Sequence, residues 1–438
     1  MKRDDSRSSG DDSTSTPVES NRKTPLSLPR LQTLDSLGSY PDYRRLWLSN
    51  IFSNNAQWLQ LLTVGWLVRS LTSGLASSAM LVGAIGGLNT LPGIFVGPIA
   101  GALGDRIDRK KMVIRMQIVM AILSMSFALL VRTEFVTVWH AYFYVILTGI
   151  GWTSTMPIRT ALIANTVPKD SLSNAYATHV LTIPGTRMIG PFIGGILIMK
   201  LGFFWNFTLE AFLYIGSIII LSGMNTPYYE PRSESSKKSL ITDLLYGFRY
   251  AIKENRVLLY LILLAIIPNT LLQPFMFLLP VFTEEVLRRG PDIGGFLMSV
   301  NGLGGLIMAL FLASFGFIFR KGNIVLVTAI AGSAFILILS HASNLYLGFA
   351  LILLIGTTLT AFRATSGTLI QLIVPDNVRG RISGIQRLSS ALVLLSSVLI
   401  GWFADTTSVS IALATIGVAG LFLGVGFYIM SRRIRALE

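Results

Sequence analysis

The sequence predicts an all-α integral membrane protein: twelve transmembrane helices in two pseudo-symmetric six-helix bundles. Three observations carry this. Hydrophobic residues make up 52% of the 438 positions and charged residues only 13%, a balance that soluble globular domains do not show. Long apolar runs without period-two alternation recur along the chain, each reaching the roughly 20 residues that cross a hydrocarbon core as a helix. The basic residues divide unevenly. Assigned to alternate sides of the runs, about 28 of the 36 Lys and Arg residues fall with the N-terminus and about 5 on the opposite face. The remaining three, Arg159, Arg187 and Arg363, lie inside runs. The net charge of +14 is therefore an orientation signal that puts both termini in the cytoplasm, and it argues against nucleic acid as a partner.

Residues 1–39, rich in Ser, Thr, Asp and Pro, carry too little apolar content to fold alone and are expected to form a disordered cytoplasmic tail. No apolar stretch follows Met1-Lys2-Arg3, so the first span is expected to direct insertion itself. The runs cover about 46–68, 75–102, 112–131, 136–165, 174–199, 203–223, 257–283, 294–319, 323–341, 344–373, 383–403 and 408–430. Arg44, Arg45 and Trp47 anchor the first at the interface. Between the second and third lies Gly101-Ala102-Leu103-Gly104-Asp105-Arg106-Ile107-Asp108-Arg109-Lys110-Lys111. Its glycines let two helices approach, and its basic cluster cannot enter lipid.

Span 5 carries Gly185-Thr186-Arg187-Met188-Ile189-Gly190-Pro191-Phe192-Ile193-Gly194-Gly195, where proline bends the helix and glycines admit a neighbour; Gly302-Leu303-Gly304-Gly305 of span 8 is the expected partner. After six spans comes the longest connector, a Pro/Ser/charge-rich linker followed by Leu240, Leu244, Leu245, Phe248 and Ile252 at helical spacing, which predicts an amphipathic interfacial helix. The organisation that follows is a bundle over 40–224, a linker over 225–256, a second bundle over 257–432 and a cytoplasmic C-terminus over 433–438. One internal echo supports two related halves: Gly149 to Ala175, with Val167-Pro168, parallels Gly356 to Ile382, with Val374-Pro375 at the same spacing.

The charged hairpin, with Phe52-Ser53-Asn54 and Trp58-Leu59-Gln60 in span 1, Leu91-Pro92-Gly93 to Gly97-Pro98-Ile99-Ala100-Gly101 in span 2, and Val374-Pro375-Asp376-Asn377-Val378-Arg379-Gly380-Arg381 between spans 10 and 11, resembles the major facilitator superfamily. The likeness covers about residues 42–432 and is nearest the branch of bacterial drug and enterobactin exporters. It implies alternating access, in which Gly101, Asp105, Arg106, Arg109 and Lys110 form an inner gate, with Arg159 reaching toward Asp105 and Arg379 and Arg381 as partners from the other half. It also implies that spans 1, 4, 7 and 10 line a cavity, offering Asn54, Gln57, Trp58, Gln60, Asn269, Gln273, Phe277 and Arg363. Gly190, Pro191, Gly194 and Gly195 resemble the packing motif of exporting, antiporter-type members, although the glycine expected four residues before Gly190 is Thr186. The arginine that such members carry in span 4, four residues before a Gly-x-Gly, is here Val145.

Read from the residues alone, Glu210 is the one carboxylate clearly within a span, and such charges are costly enough to mark function. A proton-coupling role with Arg187 on the preceding helix as partner is the expectation. Glu284 and Glu285 read as a solvated rim, and His140 and His179 as interface residues. The chain contains no cysteine, no His/Asp/Glu cluster at ligand spacing and no Gly-x-x-x-x-Gly-Lys-Ser/Thr loop, so no metal, no cofactor, no enzyme chemistry and no ATP use are expected. The expected function is export of a drug-like or siderophore-like small molecule across the inner (plasma) membrane by a monomer, in antiport with protons. An uptake symporter, a lipid flippase and, more remotely, a membrane-embedded enzyme or sensor are the alternatives.

Overall fold

The computed structural model describes residues 35–93, 95–96, 108–228, 249–250, 252, 256–315 and 320–435. The first helix, Asp35–Ser39 (α1), begins inside the segment expected to lack structure. It is held from outside: the Ser36 hydroxyl donates to Asn174 Oδ1 at 2.6 Å, and Tyr40 and Ser171 share a hydroxyl hydrogen bond at 2.9 Å. The 31-residue Pro41–Leu71 (α2) follows, with proline in its first turn, where the missing N–H costs nothing. After it come Ser78–Thr90 (α3), Arg109–Arg132 (α4), Val138–Thr166 (α5), Leu172–Val180 (α6), Thr182–Leu201 (α7) and Phe203–Ser222 (α8).

The second series opens with Arg256–Leu264 (α9). A π-helical turn, Ile267–Leu272, follows, then the short pieces Gln273–Phe275 (α10) and Leu279–Glu285 (α11). Span 7 is thus broken rather than continuous, because Pro268, Pro274 and Pro280 each remove a backbone donor from the ladder. Pro291–Phe315 (α12), Lys321–Leu339 (α13), Leu345–Ile373 (α14), Asp376–Thr406 (α15), Val409–Met430 (α16) and the four-residue Arg432–Arg435 (α17) complete the chain.

The described helices supply the twelve expected membrane-spanning segments, with no strand among the described residues. Eight are long and apolar enough to cross a bilayer on length and composition alone; α2 and α5 are not among them. On α2 the reason is Ser49, Asn50, Ser53, Asn54, Gln57, Gln60 and Thr63, all buried. On α16, by contrast, the outward side chains are Val418, Phe422 and Ile429. Polar inside and apolar outside is the arrangement a lipid solvent imposes. The expected interfacial helix over 240–252 falls almost wholly outside the described residues.

Within the first series α2 and α4 pack on α8; within the second α12 and α13 pack on α14, and α13 on α16. Two long seams join the series, α7 along α12 and α3 along α15. The sequence echo has a structural counterpart. A Cβ at Gly149 would lie 2.6 Å from the Asn89 carbonyl oxygen, and one at Gly356 would lie 2.1 Å from that of Asn301. Each glycine of the repeated motif thus admits an asparagine carbonyl from the neighbouring helix of its own series.

Candidate substrate cavity and coupling network

The α3–α15 seam is close from its middle to the end of the bundle where α2 finishes. Cβ atoms at Gly83, Gly87 and Gly401 would strike Ser397 O, Leu394 Cα and Ala79 O at 2.6, 2.3 and 2.6 Å, so α3 and α15 touch backbone to backbone. The N-terminus of α3 has no side-chain cap of its own. Asp405, at the far end of α15, supplies it: its two carboxylate oxygens accept the Ala79 and Met80 backbone N–H groups, each at 2.8 Å. Beside it Arg69 of α2 pairs with Glu284 at 2.7 Å and Glu285 at 3.0 Å on α11. The glutamates expected to form a solvated rim are therefore ion-paired across the two series. A signal for Asp405 was present in the sequence: an acid in the last turn of a helix opposes that helix's own dipole and needs another partner.

The glycine motif of α7 divides its work. Gly190 and Gly194 face Asn55, Trp58 and Leu59 of α2, whereas Gly195 meets Gly295 of α12, where a Cβ would sit 2.9 Å from its Cα. The expected partner stretch is displaced. Gly302 packs on the Arg187–Met188 backbone, Gly304 on Leu353 of α14, and Gly305 lies nearest Thr360. Pro191 is buried within α7.

Below the closed end, side chains of four helices meet. The Arg187 guanidinium lies over the Trp58 ring at 4.9 Å, and its Nε and Nη2 are buried without a hydrogen-bond partner among the described residues. Both amide atoms of the adjoining Gln57 and the indole Nε1 of Trp58 are likewise unpartnered. From the second series Arg363 of α14 donates to Gln273 Oε1 at 2.7 Å, and Gly305 of α12 lies between Thr360 and Pro184, each about one turn before Arg363 and Arg187. Toward the closed end lies a small, partly open apolar pocket lined by Leu61, Trp66, Ile85, Met276, Phe277 and Met298 among others. Asn269 sits on the π-turn. Asn54 is buried on α2. Gln60 turns away from this group, donating to Thr148 within the first series.

Glu210 is 1% exposed, so it does not reach toward water from its place in α8. Its Oε1 accepts from Tyr144 at 2.8 Å and Ser124 at 3.0 Å; its Oε2 has no partner among the described residues. Phe127, stacked on Tyr144 at 4.3 Å, and Phe207, edge-on to both rings, wall it in. The expected pairing with Arg187 is not made: that guanidinium is engaged with Trp58 instead. One turn along α8, Tyr214 is buried and its hydroxyl has no hydrogen-bond partner among the described residues. Arg159 donates to Asn50 and, at 2.6 Å, to Ser53, which also accepts from Gln117. Asn50 contacts His179 at 3.4 Å. Glu210, Tyr214 and Ser217 occupy one face of α8, and the polar series runs along it through the interior of the first six spans.

Of the expected gate, Gly101, Asp105 and Arg106 lie outside the described residues, as do the side chains of Arg379 and Arg381. Arg109 donates to Asn165 at 3.0 Å. Lys110 caps the end of α8, donating to the Ser222 and Met224 carbonyls at 2.7 and 2.6 Å, where a cation complements the helix dipole. Asp108 of the charged hairpin caps α4 by accepting the Lys111 N–H at 3.1 Å. Arg159 bonds to α2, as described. No group of three or more metal-ligating side chains occurs among the described residues.

Residues 39–438 match the model of the MFS_3 family, described as transmembrane secretion effector. The staphyloferrin A transporter of Staphylococcus aureus is 22% identical over 86% of this chain and 93% of its own length. The enterobactin exporter EntS of Escherichia coli is 24% identical over 81% of this chain and 83% of its own. Among solved structures, the nucleoside transporter NupG superposes with a TM-score of 0.70 at 11% identity, covering 89% of this chain and 99% of that one. The D-xylose–proton symporter does so with a TM-score of 0.70 at 13% identity, covering 89% and 97%.

Proposed function

We propose that this chain, which belongs to the MFS_3 transmembrane secretion effector family of major facilitator transporters, exports a siderophore-like or drug-like organic molecule in exchange for protons. The observation that carries the reading is a polar, partly unpartnered cluster contributed by both halves of the bundle, lying beneath seams held shut at one end. Loop charges orient that closed end outward, so the cluster is offered to the cytoplasm. Rocking of the halves would close the Lys110 end and part the Arg69 end, with the 101–111 hairpin, Arg379 and Arg381 as the inner gate. The named substrates of the relatives, staphyloferrin A and enterobactin, supply the first compounds to test.

Proton coupling is assigned to Glu210. Its free Oε2 offers a place for a proton, Tyr144 and Ser124 hold the other oxygen, and beyond the unpartnered Tyr214 hydroxyl on the same face of α8 the hydrogen-bonded group of Ser217, Ser53, Arg159, Asn50 and His179 continues the polar interior of the first half. An amide at this position mimics the protonated acid and cannot discharge. Glu210→Gln is therefore expected to retain substrate counterflow while losing gradient-driven accumulation by about a hundredfold, the scale of a lost proton-transfer group. The measurement is uptake of labelled staphyloferrin A and enterobactin into proteoliposomes under imposed pH gradients of either sign. Accumulation unchanged in the variant would remove Glu210 from coupling. Accumulation only when substrate and protons move together would replace export with symport.

A further inference from the structure

The interior of this protein holds more positive charge than it neutralises. Three arginines lie within membrane-spanning helices, Arg159 on α5, Arg187 on α7 and Arg363 on α14. None has a carboxylate within ion-pair distance among the described residues. Glu210, the acid that would balance them, is bonded to Tyr144 and Ser124. Arg159 donates to two neutral partners, Asn50 and Ser53, within one half. Arg187 and Arg363 differ, because they come from opposite halves on helices that both flank α12, where Gly305 lies against Pro184, about one turn before Arg187, and Thr360, about one turn before Arg363.

An isolated guanidinium in a low-dielectric interior costs several kcal/mol, and water satisfies its N–H groups without cancelling its charge. Arg187 is 9% exposed and keeps two buried nitrogens unpartnered; the Trp58 face supports the cation from one side only. Arg363 uses one nitrogen on Gln273, so four of its five donors have no hydrogen-bond partner among the described residues. The planar forks of two arginines suit a carboxylate, sulfonate or similar oxyanion, which would offset their charge on entering.

Three chain relations place the apolar pocket one turn from this charge. Leu61 and Leu62 follow Trp58 on α2, Met298 precedes Gly302 on α12, where a Cβ would lie 2.7 Å from the Arg187 carbonyl carbon, and Phe277 follows Gln273 across the span 7 break. Polar and apolar contributions both come from both halves. A ligand gripping the two arginines therefore projects its other end among Leu61, Trp66, Ile85, Met276, Phe277 and Met298.

We infer that the central site takes an amphipathic organic anion, its acidic group bridging Arg187 and Arg363 and its aromatic or aliphatic body filling the pocket beside Trp66 and Phe277. This deepens the transport reading and rests on it for the word substrate. The binding test below uses no gradient and no direction, so it fails separately from the export assignment.

The probes are dansylglycine, its neutral amide and sodium sulfate, applied to the purified full chain in detergent and read by tryptophan-to-dansyl energy transfer. The wild type is expected to bind dansylglycine saturably and at least about tenfold tighter than the amide, with sulfate a weak competitor. Arg187→Gln and Arg363→Gln are each expected to weaken the carboxylate probe by about tenfold or more and leave the amide within about twofold. Arg187→Lys, which keeps charge but not the fork, should fall between. Should Arg187→Gln fail to fold, Arg363→Gln, whose side chain is accessible, decides the matter. The inference is overturned by absence of saturable dansylglycine binding, by equal affinity for acid and amide, or by a preference that survives both substitutions. Sulfate binding tighter than dansylglycine would reduce the site to one for inorganic anions and overturn it as well.

Discussion

Asp405→Ala is expected to make a cysteine placed at Ile85 react at least tenfold faster with a membrane-impermeant maleimide added from the Arg69 side. The chain has no cysteine of its own, so the reporter stands alone. Asp405 accepts two backbone N–H groups at the start of α3, which has no local cap, and hydrogen bonds to a charged acceptor contribute about 1.5–3 kcal/mol each. A loss of about 2–3 kcal/mol from the closed state shifts a two-state equilibrium by roughly 30- to 150-fold. Arg69 contributes a weaker latch. Its glutamate partners are 45% exposed, and partly solvated pairs of that kind are worth about 1 kcal/mol at most, so Arg69→Gln should accelerate labelling only about fivefold. Asp405→Asn, which keeps one acceptor and loses the charge, should lie between the two. Labelling rates ordered the other way, or a rate unmoved by Asp405→Ala, would show that the α3–α15 seam is held by its glycine contacts alone.

What the sequence made legible follows from what lipid selects. Helix number and the position of the hydrophobic runs were readable because spanning segments must be apolar and of fixed length. The polar face of α2 was readable for the opposite reason, since amides in a membrane helix turn inward. Helix rotation was not readable, because core-facing and lipid-facing side chains are both apolar and leave no amphipathic pattern. Hence Gln60, two residues from Trp58, bonds Thr148 in its own half, and Arg187, on the helix preceding that of Glu210, lies over Trp58. Contacts between residues far apart in sequence were hidden for the same reason. Glu284 and Glu285 look like any acidic loop until Arg69, 215 positions away from the first of them, is brought opposite. Lys110 carries a basic loop signature and also fastens the end of α8, a role that only the juxtaposition of α4 and α8 reveals.

The glycine contacts inside the second half make the largest stability prediction. On α14 a Cβ at Gly356 would fall 2.1 Å from the Asn301 carbonyl oxygen and 2.9 Å from its carbonyl carbon, both backbone atoms of α12. At Gly304 of α12 the reciprocal clash is with the Leu353 carbonyl oxygen at 2.1 Å. Neither obstacle is a flexible side chain, so relief requires the two helices to separate along their length. Overpacking of a close-packed contact typically costs 1–3 kcal/mol, and a backbone-to-backbone contact belongs at or above about 3 kcal/mol. Gly367 on the same helix has nothing within 4 Å of its Cβ position. There alanine adds only its better helix propensity, which is worth up to about 1 kcal/mol. Gly356→Ala is therefore expected to abolish monodisperse extraction or lower the thermal unfolding midpoint by about ten degrees or more, while Gly367→Ala leaves it unchanged or slightly raised. Size-exclusion profiles and thermal unfolding of the two variants in one detergent make the comparison. Equal behaviour would mean that α12 and α14 do not pack as closely as Gly304 and Gly356 require, and with that the firm wall behind Arg363 and the central site would be lost.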